Sequence, residues 1–222
     1  MPHSKLLPSS ALISIAGTVG VGKSTLTKLL AQKLNFKTSM EKVDGNPYLE
    51  DYYSDFKTWS FHLQIYFLAE RFKEQKRMFE SNWGFVQDRT IYEDVGIFAR
   101  LQYDNGNMTQ RDFETYQSLF EAMTMSPFFP SPTLIIYLEG SFERILERIH
   151  RRGRDMETKT PISFWEELYG RYEKWIGSLN VSPVLRLNID RYDFIKNPED
   201  IDEVVRLISE KINEPSLAEA KS

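Results

Sequence analysis

The sequence predicts an α/β protein with a doubly wound, five-stranded parallel sheet flanked by helices. Three observations carry that expectation. The longest apolar runs are short and rich in β-branched residues, as strands buried on both faces are. Amphipathic stretches separate them, so the order along the chain is strand, helix, strand, helix. Breakers, among them Asn46-Pro47, Asn105-Gly106, Asn197-Pro198 and the run from Pro127 to Pro132, fall between the segments.

ALISIAG (11–17) is the clearest strand, followed by KTSMEKV (37–43), GFVQD (84–88), TLIIYLE (133–139) and PVLRLNI (183–189). Helical patterns occupy roughly 23–35, 57–81, 92–103, 109–125, 141–152, 162–178 and 198–213. In the long stretch WSFHLQIYFLAERFKEQ (59–75), Phe61, Ile65, Leu68 and Phe72 step by three and four and give one apolar face. No internal repeat is visible. With 222 residues, 41% hydrophobic and 14% aromatic, the chain can bury one substantial core. We therefore expect one domain over 1–222, with loose tails at 1–10 and 213–222.

Charge and composition exclude several functions. A net charge of -4 gives no long-range attraction to polyanions, so no nucleic-acid partner is expected, although a local basic cluster can still hold a phosphate. The absence of cysteine removes disulfide and thiolate chemistry. MPHSKLLPSS lacks a signal-peptide layout, and no apolar run approaches the roughly 18 residues of a membrane span, so a cytoplasmic protein without a membrane partner is expected. His3, His62 and His150 show no metal-ligand spacing and are read as ordinary residues.

GTVGVGKS (17–24) fits the phosphate-loop pattern G-x-x-x-x-G-K-S/T, with an apolar strand before it and a helix pattern behind. Glycines let successive backbone N–H groups face a phosphate, and the helix N-terminus adds the positive end of its dipole. Gly17, Thr18, Val19, Gly20, Val21, Gly22, Lys23, Ser24 and Thr25 are therefore the candidate ATP cradle. Lys23 would reach the β- and γ-phosphates and Ser24 would bind Mg²⁺. The motif does not choose between switches, motors and kinases. No Asn-Lys-x-Asp guanine-reading stretch accompanies it, which leaves kinases or a nucleotide-binding module without turnover.

Four further groupings bear on that choice. Glu41 ends the second strand, beyond whose carboxyl edge ligands sit in such sheets; it is either a base facing a γ-phosphate or a solvated loop acid. Asp88 and Arg89 end the third strand, as a Mg²⁺ ligand and a phosphoryl clamp or as a surface pair. Gln64 and Arg71 lie seven apart on one face of the long helix, either toward solvent or toward a base edge that an amide complements. RIHRRGRDME (148–157) crowds Arg148, Arg151, Arg152 and Arg154 around a glycine, as a charged loop or as an Arg-rich lid over a triphosphate.

Together GTVGVGKST, Glu41, WSFHLQIYFLAER, DRTIYED and RIHRRGRDME resemble the deoxyribonucleoside kinase family, in its bacterial deoxyadenosine/deoxycytidine branch, from about residue 11 to 194. The resemblance implies a P-loop fold, ATP as donor and Mg²⁺ as cofactor. It implies that Glu41 takes the proton of the 5′-hydroxyl and that Arg89 holds both that carboxylate and the phosphoryl group. Lys23 and the lid residues Arg148, Arg152 and Arg154 join them, and Asp88 serves Mg²⁺. Gln64 reads the base edge, Arg71 and Asp94 pair at its far end, Phe98 packs on the base, and Tyr53 and Glu157 grip the 3′-hydroxyl. Residues 190–194 would touch the donor's adenine, and a helical homodimer interface is expected. Many relatives have Glu-Arg-Ser for Asp88-Arg89-Thr90 and Glu-Pro for Glu41-Lys42, so the shorter Asp88 is expected to reach the metal more through water.

Adenine and cytosine present an amino group beside an unprotonated ring nitrogen, whereas guanine and thymine present a carbonyl beside an N–H. A carboxylate at Asp94 accepts from the amino group and repels the carbonyl, and sites reject analogues by leaving buried polar groups unpaired. The expected substrates are therefore deoxyadenosine and deoxycytidine. A monophosphate kinase would need further arginines around the acceptor, where this chain offers Tyr48, Leu49, Tyr52, Tyr53 and Phe98.

Overall fold

A computed structural model describes residues 7–43, 45–194, 196–197 and 199–214. Most of the expected tails, together with His3 and Pro198, lie outside those residues. The sheet is five-stranded and parallel, in the order β2-β3-β1-β4-β5. Its strands are β1 (Leu12–Ala16), β2 (Lys37–Ser39), β3 (Phe85–Asp88), β4 (Leu134–Glu139) and β5 (Val184–Asn188). β1 is buried along its whole length between β3 and β4, as its unbroken apolar run requires.

The helices are α1 (Lys23–Leu34), α2 (Leu49–Ser54), α3 (Phe56–Phe79), α4 (Ile91–Glu93), α5 (Arg100–Asp104), α6 (Gln110–Thr124), α7 (Phe142–Arg152), α8 (Asp155–Thr158), α9 (Ile162–Ser178) and α10 (Asp200–Asn213). Side chains from β1, β4, α1, α7, α9 and α10 merge into the main core, centred on Ile13, Ile15, Leu26, Leu134, Ile136 and Val204. A second core holds Leu68, Ile91, Ala99, Met108, Phe113, Tyr116 and Phe129 and fastens α3 to α4 and α6. Among the described residues no helix is long and apolar enough to cross a membrane.

Four elements depart from expectation. β2 ends at Ser39 rather than near 43, so Glu41 sits on a loop past the strand. The helix expected over 92–103 is three pieces, because Asp94–Ala99 winds as a π-helix between α4 and α5. α2 and α8 are short helices with no apolar period long enough to read. The π-segment matters most for function, since it carries the candidate site residues Asp94 and Phe98 and its i→i+5 winding spaces them differently around the axis than a regular helix.

Candidate active site

Beyond the carboxyl ends of β1 and β3 lies a cleft of about 1150 Å³. Gly17 and Gly20 are required where they stand. Gly17 has φ 141° and a Cβ there would meet Leu138 O at 2.7 Å, while a Cβ on Gly20 would meet Ile149 Cγ1 at 2.6 Å. α1 then starts at Lys23 behind Gly22 with no side-chain cap and no acid in its first turn, which leaves its N–H groups facing the cleft as an anion site. Lys23 Nζ folds back to donate to Gly17 O at 2.8 Å and Thr18 O at 3.0 Å.

Burial, and then the charge of Arg89, lower the Lys23 pKa from 10.5 to about 8. A triphosphate would hold the lysine charged. The free protein loses this proton above about pH 8, so binding there takes one up and affinity falls as pH rises. We expect calorimetry in two buffers of different ionisation enthalpy to show proton uptake on ATP binding at pH 8.5 and much less at pH 6.5. Equal uptake at both values would remove Lys23 as its source.

Asp88 closes the other side of the loop. Its Oδ2 accepts from Ser24 Oγ at 2.5 Å, and its buried Oδ1 has no hydrogen-bond partner. Burial raises the Asp88 pKa and the charge of Glu41 adds to it, against the pull of Lys23. No group of three or more His, Asp or Glu side chains among the described residues could hold a metal unaided. One carboxylate oxygen and one hydroxyl are instead the donor set suited to a cation that brings phosphates and water as its other ligands.

Glu41, Arg71, Arg89 and Asp94 converge next to this loop. Arg89 Nε lies 2.5 Å from Glu41 Oε1, and Arg71 Nη2 lies 3.4 Å from the same oxygen. Burial pushes the Glu41 pKa up, but Arg89, Arg71 and Lys23 together pull it below the usual carboxylate value, so Glu41 is ionised at neutral pH. Arg71 also donates from Nε to Asp94 Oδ2 at 2.8 Å and from Nη1 to Asp88 O at 3.1 Å. Burial raises the Asp94 pKa, opposed by Arg71. Gln64 is buried with its amide oxygen unpartnered, and it lines the same cleft as Asp94. Phe98 lies under the Arg89 guanidinium, 4.5 Å from its carbon.

The remaining candidates line the same cleft. Arg152 Nη2 and Arg154 Nη1 hold the two oxygens of Glu157 at 2.5 Å and 3.4 Å, and Arg148 Nη1 donates to Val21 O at 2.9 Å. Tyr53 stands with them, its hydroxyl kept protonated by burial and by the charge of Glu157. Tyr192 and Phe194 stack with ring centroids 5.5 Å apart at the outer end. Leu49 and Tyr52 reach the cleft, but Tyr48 does not line it; it packs on Trp59, His62 and Tyr66.

Two residues without an assigned role complete the site. Glu93 is fully buried; its Oε1 accepts from Gly17 N at 3.1 Å and from Tyr172 OH at 2.9 Å, and its Oε2 accepts from Thr90 N at 2.7 Å. The Tyr172 hydroxyl in turn accepts from Arg89 Nη1 at 2.7 Å. The spacing of Thr90 and Glu93 is that of a capping box, which could have flagged Glu93 as a helix cap. Nothing local marks Tyr172, which arrives from α9, 83 residues after Arg89.

Comparison with known proteins gives one consistent result. The family described as Deoxynucleoside kinase matches residues 13–213. The chain is 58% identical over 208 residues to the deoxyadenosine/deoxycytidine kinase of Bacillus subtilis, covering 94% of this chain and 96% of that one. It is 38% identical over 195 residues to the deoxyadenosine kinase of Dictyostelium discoideum, covering 87% and 77%. A solved structure of deoxyadenosine kinase from M. mycoides with bound dCTP superposes with a TM-score of 0.76 at 33% identity, covering 88% of this chain and 98% of that one.

Proposed function

The chain belongs to the deoxynucleoside kinase family, and from that premise we propose that it transfers the γ-phosphoryl group of ATP, or of another nucleoside triphosphate, to the 5′-hydroxyl of deoxyadenosine and deoxycytidine. The observation that carries the substrate class is the buried Arg71–Asp94 pair, whose Asp94 lines the cleft together with Gln64 and its unpartnered amide oxygen. Both Gln64 and Asp94 offer acceptors to an exocyclic amino group, and a carbonyl in that position would meet them unpaired.

In this reading catalysis is positioning plus electrostatics. The Glu41 carboxylate receives the 5′-hydroxyl proton as the bond from that oxygen to the γ-phosphorus forms and the bond to the β,γ-bridging oxygen breaks, releasing ADP. Arg89, Lys23, Arg148 and Arg152 face the charge on the transferred group. Arg148, Arg152 and Arg154 act as a lid, and the hold of Arg152 and Arg154 on Glu157 ties it to the sugar, which Tyr53 and Glu157 grip at the 3′-hydroxyl. Phe98 packs on the base, and Tyr192 with its neighbours contacts the donor's adenine. Ser24 and Asp88 would hold Mg²⁺, which when bound screens the phosphate charge.

Turnover with ATP and Mg²⁺ on all four deoxynucleosides tests this reading. Deoxyadenosine and deoxycytidine should exceed deoxyguanosine and thymidine in kcat/KM by at least about tenfold; a preference for thymidine would overturn it.

We also infer a homodimer. Phe79 at the end of α3, Leu119 on α6, and Met125 and Phe128 just after it are 49%, 40%, 84% and 41% exposed, an apolar stretch that a second copy would cover. Light scattering should return twice the chain mass, and a monomer at micromolar concentration would refute the inference. Nucleoside salvage with a triphosphate donor fits an enzyme of the cytoplasm.

A further inference from the structure

We propose that Glu93 and Tyr172 are positioning residues that set Arg89 against the phosphate loop. The inference rests on the kinase reading and extends it to two residues that do not touch substrate in that reading.

Arg89 needs such a support. It is one of two non-glycine residues with positive φ among the described residues, at 73°, directly after the last residue of β3. A backbone in that region persists only where the surroundings over-determine it. Its own N–H is anchored on Ile15 O at 2.9 Å, which fixes the backbone but not the guanidinium. On one side the guanidinium meets Glu41, which the reaction requires to turn toward a hydroxyl. If Glu41 were its only anchor, the arginine would be released when it is needed. The other side is held independently, through Nη1 and the Tyr172 hydroxyl, which passes the link to Glu93 Oε1.

That oxygen also receives the N–H of Gly17, the first residue of the phosphate loop. Loop and arginine therefore share one anchoring atom, and the spacing between a loop-bound phosphate and the guanidinium becomes a property of Glu93. Burial, and then the neighbouring acids, keep the Tyr172 hydroxyl protonated, so it can donate to Glu93 and accept from Arg89 together. Since α9 follows α8, which carries Glu157, the segment next to the lid supplies this hydroxyl.

A purely structural role would predict lower stability with kinetics unchanged, or damage independent of Arg89. A positioning role predicts a selective loss in kcat, because displacements near 1 Å can cost about a hundredfold. Tyr172→Phe should lower kcat by about tenfold to a hundredfold, with KM for both substrates within about twofold. In an Arg89→Lys background the same change should lower kcat by less than about twofold more, since both act through one group. An unchanged kcat in Tyr172→Phe, or an equal loss in both backgrounds, would overturn the proposal. If Tyr172→Phe fails to fold, Glu93→Gln takes its place: kcat should fall by a similar factor, and by less in the Arg89→Lys background, while KM for ATP rises because the same carboxylate also holds Gly17 N; an unchanged kcat would overturn the proposal. The parent enzyme on deoxyadenosine separates the two readings. No turnover by the parent defeats the kinase reading, whereas normal turnover by parent and variant alike defeats only the positioning role.

Discussion

Glu41→Gln is expected to lower kcat by at least about 10² while the affinity for ATP stays within about twofold. The substitution preserves size and removes the charge, so the variant keeps its loop but has no carboxylate to receive the hydroxyl proton. Glu41 suits that task because two arginines and Lys23 keep it ionised at neutral pH in spite of burial. It also costs little to replace, because each arginine keeps another partner. Arg89 retains Tyr172 and Glu93, and Arg71 retains Asp94. Steady-state kinetics with an ATP titration separates the two effects. An unchanged kcat removes Glu41 from the chemistry, and a joint loss of turnover and ATP binding makes it a structural member of the phosphate site.

Arg71→Met is expected to lower the unfolding free energy by about 3–5 kcal/mol at pH 7. Arg71 and Asp94 are 6% and 4% exposed in their side chains, so removing the cation leaves a buried carboxylate without its counter-charge. For a chain of this size the melting temperature should fall by roughly 10 °C. The pH dependence carries the sign. Burial already holds the Asp94 pKa above its ordinary value with Arg71 present, and without Arg71 it rises further. The folded variant then binds more protons than the unfolded chain, so its stability falls as pH rises from the ordinary Asp value of about 3.9 upward through the folded value. Urea unfolding should show the deficit large at pH 7 and smaller at pH 5. Asp94→Asn placed in the same chain should recover part of it. A deficit that is equal at both values, or unaffected by Asp94→Asn, would place the damage elsewhere. Discrimination among deoxynucleosides should narrow in the same variant, because Arg71 also aims the Asp94 carboxylate.

The site divides by how its residues signal themselves. The phosphate loop was legible because its geometry is contiguous: Gly17, Gly20 and Gly22 all have positive φ, and the lysine and serine follow at once. Asp88 and Arg89 were legible as a strand end, though Arg89's left-handed backbone was not, since no glycine or asparagine marks it. Gln64 and Arg71 shared a helical face, but only packing decided that this face turns inward, where both are buried. Tyr48 was misjudged because a ring near the site in sequence can equally turn to the aromatic cluster on α3.

What the sequence by itself determined is local and periodic: five apolar runs of strand length, the helices between them, and one loop able to cradle a phosphate. Those follow from backbone sterics and from a hydrophobic pattern read over a few residues. Only the tertiary structure decided that Glu41 leaves β2 early, that a π-turn sets Asp94 and Phe98, and that Tyr172 links Arg89 to Glu93 and so to Gly17. The last joins residues 76 to 83 positions apart, drawn together by the pairing of buried polar groups, and no short window of sequence contains both partners.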